Sequence, residues 1–213
     1  MTHDSLRDLA ACLPGQIAAA RELNCPLVVV DNASRDLGPA FVRDRLNPAR
    51  GETLVEMGRN AGYAAAVNAA LAVVPGMDLM LLNPDVEVSG TDGIAGLRDV
   101  LASHPRVAVA APRLIDAAGL TQASARRFPS ALTMLGSSSL GRRFRPLRRA
   151  YESYLEPISG DKPRTVDWVI GAALLIRREA CDEVGGWDEG YFLYAGRSGI
   201  VSSPLRNERP GEP

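Results

Sequence analysis

Apolar positions along the chain follow two periods. From Ser5 to Asn24, residues Leu6, Leu9, Ala10, Leu13, Ile17 and Ala20 recur every three or four positions. That spacing predicts a helix with one buried stripe. Ser5 reads as its N-cap, and Asp8 completes a capping-box-like pair. Pro14 carries no N–H, so a kink or break is expected there. Short apolar runs follow at 26–31 (PLVVVD), 53–57, 78–82 (DLMLL) and 107–111. Such runs, bounded by Pro, Gly and Asn, read as strands buried on both faces. Helical patterns separate them at 39–46, 62–74 and 92–103. Strand and helix thus alternate from Pro26 to Ala111, the pattern of a mostly parallel α/β sheet with helices on both faces.

Beyond Ala111 the pattern changes. Residues 114–122 suggest a hairpin turning at Asp116 to Gly119. The stretch 126–149 is basic and loop-like, with one short helix near 131–140. A strand returns at 165–177, then a short helix at 178–184 that Gly185 and Gly186 end. From Ala195 onward Arg, Ser, Gly and Pro dominate and no amphipathic period survives, so 195–213 is expected to be a disordered tail.

Composition narrows the class. The 213 residues suffice for one α/β domain. The net charge of -1 gives no global basic field, which argues against nucleic acid as a partner. No apolar run is long enough for a membrane helix. The N-terminus has no signal-peptide pattern. The three cysteines, Cys12, Cys25 and Cys181, fit no zinc spacing and suit a reducing, cytoplasmic compartment. Cys12 and Cys181 fall in helical patterns, where a small buried apolar role is expected.

Ligands of an open parallel sheet bind beyond the carboxyl ends of its strands. Two acids stand there, Asp31 after 27–30 and Asp85 after 79–82. Each could equally be a turn residue. Between them lies Gly58-Arg59-Asn60-Ala61-Gly62, leading into an alanine-rich helix. Glycines let a backbone approach a ligand, and a helix N-terminus offers N–H groups to an anion. The loop is neither a dinucleotide fingerprint nor a P-loop. Asn83-Pro84-Asp85 supplies one hard carboxylate with an amide nearby, which suits Mg2+ or Mn2+ when a diphosphate provides further oxygens.

These segments stand in a telling order: VVVDNAS at 28–34, GRNAGY at 58–63, LLNPDV at 81–86, WVIGAALLIR at 168–177, GGWDE at 185–189 and YFLY at 191–194. The chain resembles a family 2 glycosyltransferase of the GT-A fold, rhamnosyltransferase-like in flavour. The resemblance implies a nucleotide-diphosphate sugar donor, dTDP- or UDP-linked, and a glycan or lipid-linked acceptor. It implies Asp31 at the base, Asn60 and Gly62 in the donor loop, and Asp85 as the metal-binding acid with Asn83 in the place of a first acid. Thr2, in Thr2-His3-Asp4, matches the segment that ends the family's first strand at the nucleotide. Trp168, Gly171 and Ala172 match a segment lining the sugar and acceptor side, although Trp168 could equally be a core aromatic. The implied organisation is one domain over 1–194, with a nucleotide-sugar half at 1–112 and an acceptor half at 113–194.

Two departures from the family accompany the match. Only Met1 precedes Thr2, so a central strand is expected to be missing, leaving an edge and apolar faces uncovered. After its Phe-Leu-Tyr segment the family places Glu-Asp, whose Asp is the general base of inverting transfer. Here Ala195-Gly196-Arg197-Ser198 follow, so no catalytic residue is assigned. Codons for Gly196-Arg197-Ser198 read one base later can spell Glu-Asp, which a shifted reading frame would explain. A remnant that only binds nucleotide sugar is the alternative. The arginines from Arg142 to Arg149 read ordinarily as a solvated face. Their other reading is a peripheral contact with anionic lipid at the inner face of the membrane.

Overall fold

A computed structural model describes residues 1–155, 162–190 and 192; the tail expected at 195–213 lies outside them. In chain order the elements are α1 (Leu6–Glu22), β1 (Leu27–Asp31), α2 (Gly38–Arg43), β2 (Glu52–Glu56), α3 (Gly62–Val73), β3 (Leu79–Leu82), α4 (Asp92–Ser103) and β4 (Val109–Ala110). Then follow β5 (Ala125–Arg126), α5 (Ala131–Ser137), α6 (Arg145–Tyr154), β6 (Trp168–Val169), β7 (Ala173–Ile176) and α7 (Arg178–Val184). The described residues form two compact units, Met1–Pro112 with those from Gly171 to Phe192, and Arg113–Ile170. This division cuts across the half expected at 113–194, because β7 pairs with β3 and β4.

In the first unit, β1 and β2 pair in parallel from Leu27 opposite Glu52 to Asp31 opposite Glu56. The valines of β1 alternate between two cores. Val29 packs with Leu9, Leu13 and Ile17 of α1 and Val42 of α2. Val30 packs with Ala66 and Ala70 of α3 on the other face. Burying each large side chain of the α1 stripe contributes about 1.5–3 kcal/mol. That common core carries α1 unbroken through Pro14, where a kink or break was expected. The capping box fails too. The Ser5 hydroxyl donates to the His3 carbonyl, and the Leu6 N–H donates instead to Asp36, thirty residues on.

A second sheet has the order β3-β7-β4, with β7 antiparallel to both neighbours, so β3 and β4 run parallel to each other. Helix α4 covers it through Leu97 and Leu101 against Ala110 and Leu175. Among the described residues no ladder joins β1 to β3. A cavity of about 180 Å³ lies there, lined by Val28 and Val30 of β1, Leu79 and Leu81 of β3, Leu13 of α1 and Ala66 of α3. Thr2 touches its rim as a one-residue parallel bridge to Asp31.

In the second unit, the hairpin expected at 114–122 forms, with Ile115 bridged to Thr121 and the Gly119 N–H donating to the Asp116 carbonyl. The basic stretch is more helical than its sequence suggests. Helix α6 packs against α5 at Gly136, where a Cβ would collide with the Leu147 backbone. The strand expected at 165–177 is two short ones: β6 pairs with β5, and β7 belongs to the first unit.

Candidate functional site

The end of β1 is a knot of polar groups. Asp31 is only 3% exposed. Its carboxylate accepts from the Ser34 hydroxyl at 2.5 Å and the Ser34 N–H at 3.0 Å. The turn passes through Ala33 at φ 60°, a left-handed conformation that costs a non-glycine residue. Thr2 sits beside it, its N–H donating to Val30 and its carbonyl accepting from Asn32. The Thr2 hydroxyl oxygen is buried with no hydrogen-bond partner among the described residues. Buried hydroxyls are ordinarily hydrogen-bonded, so this orphan is a polar contact offered to a ligand or water.

Asn32 links this knot to the glycine loop and is 2% exposed. Its amide nitrogen donates to Asn60 Oδ1 at 2.7 Å and to the Gly62 carbonyl at 3.2 Å. Its amide oxygen accepts from the Ala61 N–H at 2.9 Å. Asn60 in turn accepts from the Gly62 N–H. Gly62 has φ +87°, and a Cβ there would lie 2.6 Å from the Phe192 carbonyl oxygen. That carbonyl also accepts from the Tyr63 N–H at 2.9 Å. The first turn of α3 was expected to present open donors to an anion. Instead the N–H groups of Ala61, Gly62 and Tyr63 are all engaged, because Asn32, Asn60 and Phe192 cap the helix.

The end of β3 is organised differently. The Asn83 N–H donates to the Ala172 carbonyl at 2.8 Å, and the Tyr63 hydroxyl donates to the Gly171 carbonyl at 3.3 Å. These bonds bring Gly171 and Ala172 to the donor-loop helix and the end of β3. Gln16, a polar residue in the buried stripe of α1, donates to the carbonyls of Asn83 and Val86 and fixes the turn. Asp85 projects from that turn. It is exposed and makes no hydrogen bond or ion pair among the described residues. No cluster of three or more metal-ligating side chains occurs among them either. One unencumbered carboxylate beside an amide fits a hard cation that keeps waters and takes phosphate oxygens, and does not fit a closed metal cage.

Trp168 lies in the second unit, on β6. Its indole N–H donates to the Arg127 carbonyl, its ring is tilted against Tyr154, and the Arg126 guanidinium stands 5.5 Å from the ring centroid. Trp168 is half-buried and its contacts are all within the second unit. Cys12 and Cys181 are buried and unpaired, and burial pushes the Cys181 thiol up to about 11, away from thiolate chemistry.

Sequence reasoning missed Asn32, Gln16 and Asn68. Asn68 sits on α3 and clasps the GGWDE segment, donating to the Trp187 carbonyl and accepting from its N–H. Each is an amide inside or beside an apolar run, a signal that marks buried polar satisfaction without saying to what.

No family model matches the chain. It is 33% identical over 192 residues to the N-acetylglucosaminyl-diphospho-decaprenol L-rhamnosyltransferase of Mycobacterium tuberculosis, in strains CDC 1551 / Oshkosh and ATCC 25618 / H37Rv. That match takes in 84% of this chain and 60% of each relative, so the chain spans about three fifths of the curated relatives' length. Among solved structures it is similar to the mannosyltransferase PcManGT from Pyrobaculum calidifontis, in complex with GDP-Man and Mn2+. The TM-score is 0.58 at 22% identity, over 94% of this chain and 48% of that one. It is also similar to S. aureus TarS 1-349, with a TM-score of 0.54 at 14% identity, over 94% and 52%. The parallel pair, the antiparallel insertion of β7 and the ordered motifs agree with these likenesses: the chain has the GT-A fold of glycosyltransferases and is rhamnosyltransferase-like in sequence.

Proposed function

We propose that the chain binds a nucleoside-diphosphate sugar and serves its transfer, as rhamnose, to a glycan or lipid-linked acceptor with inversion at the anomeric carbon. The observation that carries this reading is the pairing of two strand-end sites. A buried Asp31–Asn32 knot shapes the glycine loop, and an unencumbered Asp85 stands at the end of β3. Residues 1–112 form the donor half. Asp31 keeps lone pairs beyond those given to Ser34 and faces the base, with the Thr2 hydroxyl beside it. Asn60 and Gly62 border the diphosphate. Asp85, with Asn83, would hold Mg2+ or Mn2+, whose charge would offset that developing on the diphosphate leaving group. Gly171 and Ala172 border the sugar, and Trp168 is assigned to acceptor recognition. The dTDP and UDP donors are the two to test. The acceptor reading rests on the relative, whose name specifies a diphospho-decaprenol substrate. The arginines from Arg142 to Arg149 suit a peripheral contact with the membrane that carries such a lipid.

A second reading is favoured by the sequence after Tyr194, where Ala195-Gly196 stand in place of the family's Glu-Asp. In that reading the chain binds the donor without transferring its sugar. Titration of UDP and dTDP with and without Mn2+, followed by transfer assays with the matching rhamnose donors, separates the two. Asp85→Ala is expected to abolish the Mn2+-dependent part of binding and leave Tm unchanged, since the side chain is exposed and unpartnered. Unchanged Mn2+-dependent binding would refute the metal assignment.

A further inference from the structure

The second unit carries a surface that the donor site does not use. Leu132, Met134 and Leu135 on α5, with Leu140 and Phe144 just after it, are each between 58% and 65% exposed. Buried Thr133 and Gly136 form the opposite side of α5, and Gly136 abuts α6. Five large apolar side chains within thirteen residues thus face outward from a helical hairpin. Scattered exposed leucines need no explanation, but a contiguous set marks a docking surface.

The charge around them is one-sided. Arg142, Arg143, Arg145, Arg148 and Arg149 flank the apolar residues and are all exposed. No Asp or Glu occurs between Asp116 and Glu152, although the whole chain has a net charge of -1. Of these five, only Arg148 is paired with a carboxylate among the described residues, with Glu152 at 3.4 Å. Apolar side chains bordered by arginines match the two layers of an anionic bilayer surface, acyl chains below and phosphates above.

We propose that α5 and the turn after it insert Leu135, Leu140 and Phe144 into an anionic lipid surface while the arginines from Arg142 to Arg149 engage its headgroups. This deepens the proposed arginine contact and rests on that reading, but it is independent of the transferase assignment.

The full chain is sedimented with vesicles of phosphatidylcholine alone or with added phosphatidylglycerol, at low and high salt. Binding is expected only with the anionic lipid, weakening as salt rises. Arg142→Ala with Arg143→Ala should weaken it roughly thirtyfold, about fivefold per charge. Leu135→Gln and Phe144→Gln should each weaken it roughly tenfold at unchanged salt, through loss of apolar insertion. Circular dichroism and Mn2+-dependent UDP binding of each variant establish that the fold and donor site persist. Anionic binding that survives both apolar variants would overturn the insertion and leave the arginine contact standing. No binding to anionic vesicles by the folded chain would sink both, while the donor reading is judged on UDP alone. A dimer that Leu135→Gln disperses, without vesicle binding, would likewise overturn the proposal and assign the surface to a second copy.

Discussion

Asn32 shows how much one buried amide can organise. Its donor groups satisfy Asn60 and Gly62, and its acceptor satisfies Ala61. Asn32→Ala strips all three at once, and a buried group left unpaired costs about 1–3 kcal/mol. Asn32→Asp keeps the acceptor for Ala61 but sets a carboxylate against the oxygens of Asn60 and Gly62. Both variants are expected to lower Tm and to weaken nucleotide binding, measured by thermal melts and calorimetry. A folded Asn32→Asp protein with unchanged nucleotide affinity would show that this amide does not set the loop's binding geometry. Asp31 differs in kind: its carboxylate is already held by the Ser34 hydroxyl and N–H, which fixes its orientation.

At the scale of elements, α1 and β2 are tied by one ion pair. Arg21 donates to both Glu52 oxygens at 2.6 and 2.9 Å, and the Asn47 N–H donates to one of them. Glu52 is 2% exposed. The Arg21 bond, opposed in part by burial, holds its carboxyl below the ordinary 4.5. A carboxyl lowered in the folded state stabilises the fold above its unfolded value and loses that contribution as pH falls through the folded one. Stability is therefore expected to drop below about pH 4.5, and Glu52→Gln should flatten that acid limb while lowering Tm at pH 7. Melts across pH 3 to 7 check this; an acid limb of the same slope in Glu52→Gln would show that other carboxyls dominate it. The same scale explains why α1 passes Pro14: one lost backbone bond is small beside three large side chains anchored on both sides of it.

Across the first unit, β1 has unlike edges. Leu27, Val29 and Asp31 direct their backbone groups to β2, as the bonds from Leu27 to Gly51 and from Met57 to Asp31 fix. Val28 and Val30 then direct theirs to the cavity side, where Thr2 supplies one N–H to the Val30 carbonyl. Hydrogen exchange is expected to alternate along β1, with the Val28 and Val30 amides faster than those of Val29 and Asp31. Uniform protection would mean that this edge is covered in solution. The gap also explains why the two sheets are held together through α1 and α3 and not through a ladder.

The sequence by itself determined the periodic elements. The boundaries of β1, β2, β3, α3, α4 and α7 lie within a residue or two of the pattern, because period and turn residues are local properties. The ordered motifs also placed Asp31, Asn60, Gly62, Asn83 and Asp85 near strand ends, since strand ends are where such short polar segments must fall. Tertiary structure decided what those residues touch. Whether the α3 donors are engaged and how the turn carrying Asp85 is held depend on Asn32, Phe192 and Gln16, whose side chains or carbonyls arrive from other parts of the chain. It also decided that β7 joins β3 in reverse direction and that Trp168 falls in the other unit. Pairing partners and directions follow from which edges are open after collapse, a long-range competition that no local pattern encodes.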